Sequence, residues 1–201
     1  MSREPLVIDV SLLPRVAFGH KNLIWWGTMG LIAIESTMFV LLFVSFAFLR
    51  SRVTDWPPGL IAPDLLWGTV NSIIFILSAV PNQLTKKAAE RFDLKRVRVW
   101  LLLTVACAVL ANGVRVLEFQ HLNTSWDTNA YGSIVWWLLG FHTFHLLVDT
   151  ADTLVITVTA FTGPLEEKRF VDFSDNALYW YFVMLSWVPV YALVYIAPRI
   201  L

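Results

Sequence analysis

Charge is scarce in this chain. Asp, Glu, Lys and Arg make up 15% of its 201 residues, against about 25% in an ordinary soluble domain. The basic and acidic residues cancel to a net charge of zero, which argues against a nucleic-acid partner, since binding phosphates calls for a basic face. Cysteine occurs once, as Cys107, which excludes an internal disulfide. No phosphate-binding loop, nucleophile constellation or dinucleotide fingerprint is present, nor any internal repeat or low-complexity segment. The chain does not read as a self-contained enzyme.

Apolar residues are abundant, at 57%, in runs too long and unbroken for soluble core helices. They predict an all-α integral membrane protein. Residues 1–22 form a short polar arm, with acidic residues and two prolines before any apolar run, unlike a secretory signal. Residues 23–201 form a five-helix transmembrane bundle. The expected spans are Leu23 to Leu49, Asp64 to Leu84, Val97 to Phe119, Tyr131 to Phe161 and Asn176 to Ile196. Pro189 lies inside the fifth, where neighbouring groups must satisfy the backbone carbonyl it frees.

Basic residues set the orientation. Lys86, Lys87, Arg91, Lys95, Arg96 and Arg98 surround the second link, Lys168 and Arg169 the fourth, and Arg3, Arg15 and Lys21 lie in the arm. Residues 121–130 carry no Lys or Arg. This distribution places the N-terminus inside and the C-terminus outside. Lys86, Lys87 and Arg91 are candidates for anionic lipid headgroups. Of the ten tryptophans, Trp25, Trp26, Trp56, Trp67, Trp100 and Trp126 are expected near the membrane interfaces, and Trp136, Trp137, Trp180 and Trp187 between helices.

Few ionisable residues lie within the spans. His142, His145, Asp149 and Asp152 follow one another at spacings of three, four and three, which puts them on one stripe of a helix. A charge-capable side chain is costly in lipid, so the stripe should face protein. Glu35 lies eleven residues after Ile24, about 16 Å from the inner edge. His142 lies eleven residues after Tyr131 in a helix running the other way, about 14 Å from that edge of a 30 Å core. Equal depth predicts that Glu35 meets the His142/His145 pair.

Three readings of the stripe stay open. A zinc, iron or haem site would use the histidines as ligands, although di-iron bundles need such a motif on two helices and only one is present. A proton relay would exchange protons between histidine and carboxylate. A structural network would only satisfy these groups between helices. Elsewhere, Arg115 and Glu118 suggest a helix-surface ion pair, and Asn71, Ser72, Thr104 and Asn112 suggest interhelical hydrogen bonds.

Several short motifs, in order, resemble one family. They are the Trp25–Trp26–Gly27 start with Glu35 and Phe39, the Trp56–Pro57–Pro58 turn, Asn71–Ser72, Leu103–Thr104, Glu118, and Tyr131–Gly132–Ser133. Gly140–Phe141–His142 with His145 is the most specific, and Tyr179–Trp180, Phe182–Val183 and Trp187 close the series. Over residues 20–198 the chain resembles subunit III of haem-copper oxidases, in its five-span form. The resemblance implies a non-catalytic subunit of a terminal respiratory oxidase, cytochrome c being the expected donor, in the inner membrane of a bacterium. It further implies that catalytic subunits I and II are the partners, that haem and copper sit in them with no cofactor in this chain, and that phospholipid is bound. Stabilisation of the catalytic subunit and support of proton uptake would be its roles, with Glu35 as the membrane glutamate.

Quinol oxidases and nitric oxide reductases have an equivalent subunit. A stand-alone proton-coupled transporter or channel using Glu35, His142 and Asp149 is the alternative of another class, and the missing repeat speaks against it. Tyr181 and Met184 stand where the family commonly has a polar pair, Thr143 where it has glycine, and Cys107–Ala108 where it has leucine–glycine. Asp149 and Asp152 extend the stripe beyond the family motif.

Overall fold

A computed structural model describes residues 16–59, 61–163 and 165–200. Most of the expected arm, Arg3 and Arg15 included, lies outside the described residues. Five long helices carry the fold: α1 (Leu23–Arg50), α2 (Leu65–Glu90), α3 (Leu94–Gln120), α4 (Ala130–Thr162) and α5 (Arg169–Tyr191). The last continues through a π-helical segment, Ala192–Ile196, into the short α6 (Ala197–Ile200). There is no strand among the described residues. All five expected spans are present, and each helix is long and apolar enough to cross a membrane.

Polar residues start the helices. Asn22, Asp93 and Asn129 each accept a hydrogen bond from a backbone N–H of the following first turn, at Ile24, Arg96 and Gly132, which satisfies one of the donors a helix start leaves free. Between α2 and α3 the chain reverses in three residues, with Phe92 at φ 56°. Between α1 and α2 it passes through a cis Trp56–Pro57 bond and Gly59 at φ +63°.

The helices outrun the spans read from hydropathy. α2 continues six residues past Leu84 to Glu90, and α5 begins seven residues before Asn176. Hydropathy finds the stretch that suits hydrocarbon, whereas a helix continues into the polar interface wherever its backbone hydrogen bonds can form. Lys86 and Lys87 therefore stand on helix α2 rather than in a loop.

Helices α2, α3, α4 and α5 form a ring in chain order, with α2 also packing on α5, and α1 lies against α4 and α5. The main core joins Phe39 and Phe46 of α1 to Leu138, Leu139 and Leu146 of α4 and to Trp180, Val183 and Trp187 of α5. A smaller cluster holds the end near the α2–α3 turn, through Ala88, Ala89, Val97, Leu101, Phe170 and Phe173. Only Phe39 and Phe46 of α1 are buried; Ile34, Val40, Leu41, Val44 and Phe48 face outward. Leu102, Leu147, Val155, Leu185 and Val188 do the same on α3, α4 and α5. The structure is that of a multi-pass membrane protein with apolar residues over its outer faces.

One tryptophan departs from expectation, and another, near the end of the bundle as expected, is more enclosed than an interface residue need be. Trp56 is buried, edge-on to Phe46 and Tyr131, because its loop folds back over the end of the bundle. Trp137 is 64% exposed: it follows Trp136 by one residue, and a 100° turn of the helix carries it to the outer face.

Candidate functional site

Two polar constellations are built where the helices meet. The first joins α2, α3, α4 and the π-helical segment. Arg115 Nη1 lies 2.9 Å from Glu118 Oε2. Asn71 donates to Glu118 Oε2 at 3.0 Å, and the Tyr195 hydroxyl donates to Oε1 at 2.6 Å. The Arg115 guanidinium also lies over the Trp187 ring, 4.2 Å from its centroid. Arg115 and Glu118 are each 1% exposed, so this is an interior ion pair and not the surface pair their spacing suggested. The i, i+3 spacing showed that the two side chains could meet; it could not show that three other helices close over them. Gly68 makes room for the arrangement, since a Cβ there would stand 2.7 Å from the Tyr195 ring.

His142 belongs to this first constellation. Its Nδ1 lies 3.1 Å from Arg115 Nη2, and its Nε2 lies 3.0 Å from the Val183 carbonyl oxygen. A guanidinium can only donate and a carbonyl can only accept. His142 is therefore the neutral tautomer with its proton on Nε2, and both ring nitrogens are engaged. It has no nitrogen left for haem or metal. Among the described residues no three His, Cys, Asp or Glu side chains are grouped so as to hold a metal ion.

The second constellation lies between α1, α4 and α5. Glu35 Oε2 accepts a hydrogen bond of 2.7 Å from the Tyr179 hydroxyl, and its Oε1 stands 3.6 Å from His145 Nε2. His145 Nδ1 bonds the Phe141 carbonyl at 2.8 Å, so it carries a proton and leaves Nε2 facing the carboxylate. Two bare acceptors repel each other; one proton on either partner makes the contact attractive.

The structure thus brings Glu35 to His145 and not to His142. Depth counted from span edges is uncertain by about one helical turn, 5.4 Å, which is close to the distance between the two histidines. Phe39, one turn along α1 from Glu35, fills the space near His142 and His145, with ring centroids at 6.4 and 5.2 Å.

Asp149 is buried on the same stripe, whereas Asp152, one turn nearer the basic end, is exposed. Both line a cleft with Glu35, Tyr179 and Asp175. Asp175 does not stand out in the sequence because it falls one residue before the apolar stretch of the expected fifth span. Asn71 and Asn112 do bond between helices, to Glu118 and Thr150, and Ser72 accepts from the Trp187 indole. Thr104 instead donates to Trp100 of its own helix. Tyr181 donates to Gln83 of α2 at 2.9 Å.

At the basic end, Lys87 and Arg91 line a groove of about 400 Å³ with Lys95, Arg96 and Trp100; Lys86, half-buried on α2, does not line it and acts on Asp175 of α5 instead. Lys168 and Arg169 lie near the start of α1, beside Asn22 and Ile24, and Arg98 reaches the Ala160 carbonyl near the end of α4. The described basic residues of the N-terminal, second and fourth links therefore share one end of the bundle.

The chain as a whole is similar to known proteins. The family model for cytochrome c oxidase subunit III matches residues 15–198. Cytochrome c oxidase subunit 3 of Synechocystis sp. is 31% identical over 183 residues, covering 89% of this chain and 77% of that one. The subunit 3 of Thermostichus vulcanus is 27% identical over 91% of this chain and 92% of its own length. That of Alkalihalophilus pseudofirmus is 24% identical, with 88% and 86% covered. The matched range spans all five helices, and the chain belongs to the cytochrome c oxidase subunit III family.

Proposed function

We propose that this chain is the non-catalytic subunit III of a haem-copper terminal oxidase with cytochrome c as donor, bound to the catalytic subunit I and to subunit II in a bacterial plasma membrane. Haem and copper belong to those partners; His142, engaged at both nitrogens, is not available to them as a ligand. The N-terminus faces the cytoplasm, because the basic ends of α1, α2, α3 and α5 gather on that side. The groove of Lys87, Arg91, Lys95 and Arg96 takes the headgroup of an anionic phospholipid at the inner interface.

The observation that carries the reading is the Glu35–His145 contact inside a chain of this family. A membrane glutamate positioned by Tyr179 and facing a histidine can accept and release a proton without moving a helix. The reading is that this pair supports proton uptake by the catalytic subunit and so prolongs its working life.

The test compares the oxidase complex with and without this chain, and with Glu35→Gln. Haem content and the initial rate of oxygen consumption should be close to equal in all three. Without the chain, activity should decay after fewer turnovers, and Glu35→Gln should reproduce part of that loss or slow proton uptake. Equal turnover lifetimes and equal proton uptake in all three would leave Glu35 a packing residue and remove the proposed role.

A further inference from the structure

The α1/α4/α5 cleft has a volume of about 430 Å³ and is lined by Glu35, Asp149, Asp152, Asp175, Asn176 and Tyr179, with no Lys or Arg in its wall. Among the described buried acids, its innermost carboxylate is the one with both oxygens unpartnered. Asp149 is 1% exposed, and neither of its carboxylate oxygens has a hydrogen-bond partner. Of the donors that line the cleft, Tyr179 bonds Glu35, the Asn176 amide bonds Thr153 at 3.1 Å, and the Thr28 hydroxyl makes no hydrogen bond to Asp149. Glu118, equally buried, accepts from Asn71 and Tyr195 and pairs with Arg115. A buried carboxylate with neither donors nor a counter-charge must be neutralised by something that enters.

The charged surroundings narrow what that is. Glu35 on α1 and Asp152 on α4 act on Asp149. Asp172 on α5 acts on Asp152 and Asp175, and Lys86 on α2 acts on Asp175. His145 faces Glu35. The field in the cleft is negative and attracts a cation. A metal ion needs several oxygen ligands at once, and among the described residues no such grouping occurs. A proton needs only one carboxylate. The acids are also graded in depth: Asp152 is exposed, Asp175 is 5% exposed, and Asp149 lies deepest on α4.

We propose that Asp149 is a proton-binding site, filled through this cleft from the basic end of the bundle, with Asp152 and Asp175 at its mouth. One proton passes from a hydronium ion to the Asp149 carboxylate, leaving water and a neutral carboxyl group. The proposal deepens the proton-uptake reading of Glu35, and rests on it for where the proton goes next.

Infrared spectra of the full chain in its complex, in lipid nanodiscs at neutral pH, test it. A carbonyl band of a protonated carboxyl group is expected to disappear in Asp149→Asn and to persist in Asp152→Asn. In the unsubstituted protein, isotope labelling of aspartate should shift the same band, so the result stands even if Asp149→Asn assembles poorly. Transfer to heavy water should shift the band more slowly, by several-fold, in the Asp152→Asn/Asp175→Asn double variant, which removes the local attraction for cations. Absence of any aspartic-acid band at neutral pH would overturn the proposal, and so would an ionised Asp149 whose carboxylate band responds to added ethylammonium. The spectrum reads Asp149 whatever the turnover lifetime does, so failure here and failure of the Glu35 reading are separate outcomes.

Discussion

Replacing Glu118 by alanine is expected to destabilise the bundle by about 3–5 kcal/mol, the cost of leaving one member of a buried ion pair alone. Arg115 would remain at 1% exposure with its counter-charge gone, and Asn71 and Tyr195 would each lose the oxygen they donate to. The effect should spread across helices, because Glu118 is the point where α2, α3 and the π-helical segment are tied together. Thermal unfolding in one detergent, wild type against Glu118→Ala, measures it. The double replacement Arg115→Met with Glu118→Leu should recover part of the loss, since it removes the unpaired charge while Asn71, Tyr195 and His142 still lack their partners. A single variant as stable as the wild type would show that the pair is solvated.

Phe39→Ala should have a comparable effect by a different route and in a different place. Lipid tails are as apolar as the helices, so association inside a membrane depends on close packing and hydrogen bonds, with little hydrophobic drive. Helix α1 has only Phe39 and Phe46 fully buried. Phe39 packs against Phe141, His145 and Phe182, with ring centroids at 4.9, 5.2 and 6.1 Å. Truncation of a buried phenylalanine costs about 3–5 kcal/mol. The loss should fall on α1 alone, leaving the α2–α5 ring folded. Hydrogen exchange read by peptide should show faster exchange across Leu23–Arg50, with the α3 and α4 amides unchanged. Uniform acceleration would mean that α1 is part of one cooperative unit.

Five spans were legible in the sequence because each is a long apolar run between polar breaks, and that signal does not depend on neighbours. Helix ends were less legible, as α5 shows: Phe170, Val171 and Phe173 belong to a helix that Asp172 and Asp175 disguise as a loop. Within the site, the intramembrane positions of Glu35 and His145 could be read from their runs, and their pairing was expected to within one turn. The partition between the two histidines was not legible. It depends on Arg115 of α3 reaching His142 and on Phe39 of α1 filling the space beside it, and both are facts of packing between distant segments. The same limit hid the burial of the Arg115–Glu118 pair and the place of Asp175 in the cleft. Residue spacing describes one helix; these features arise between three.

Purification from the membrane tests whether this chain works as part of a haem-copper oxidase. The tagged chain is purified in mild detergent from its own membrane, and the reduced-minus-oxidised visible spectrum of the eluate is recorded with its metal content. The account predicts oxidase-type haem and copper in a fixed ratio to this chain, carried by larger co-purifying subunits, with oxygen consumption supported by reduced cytochrome c. A colourless, metal-free chain that elutes alone and moves protons across liposomes by itself would contradict it.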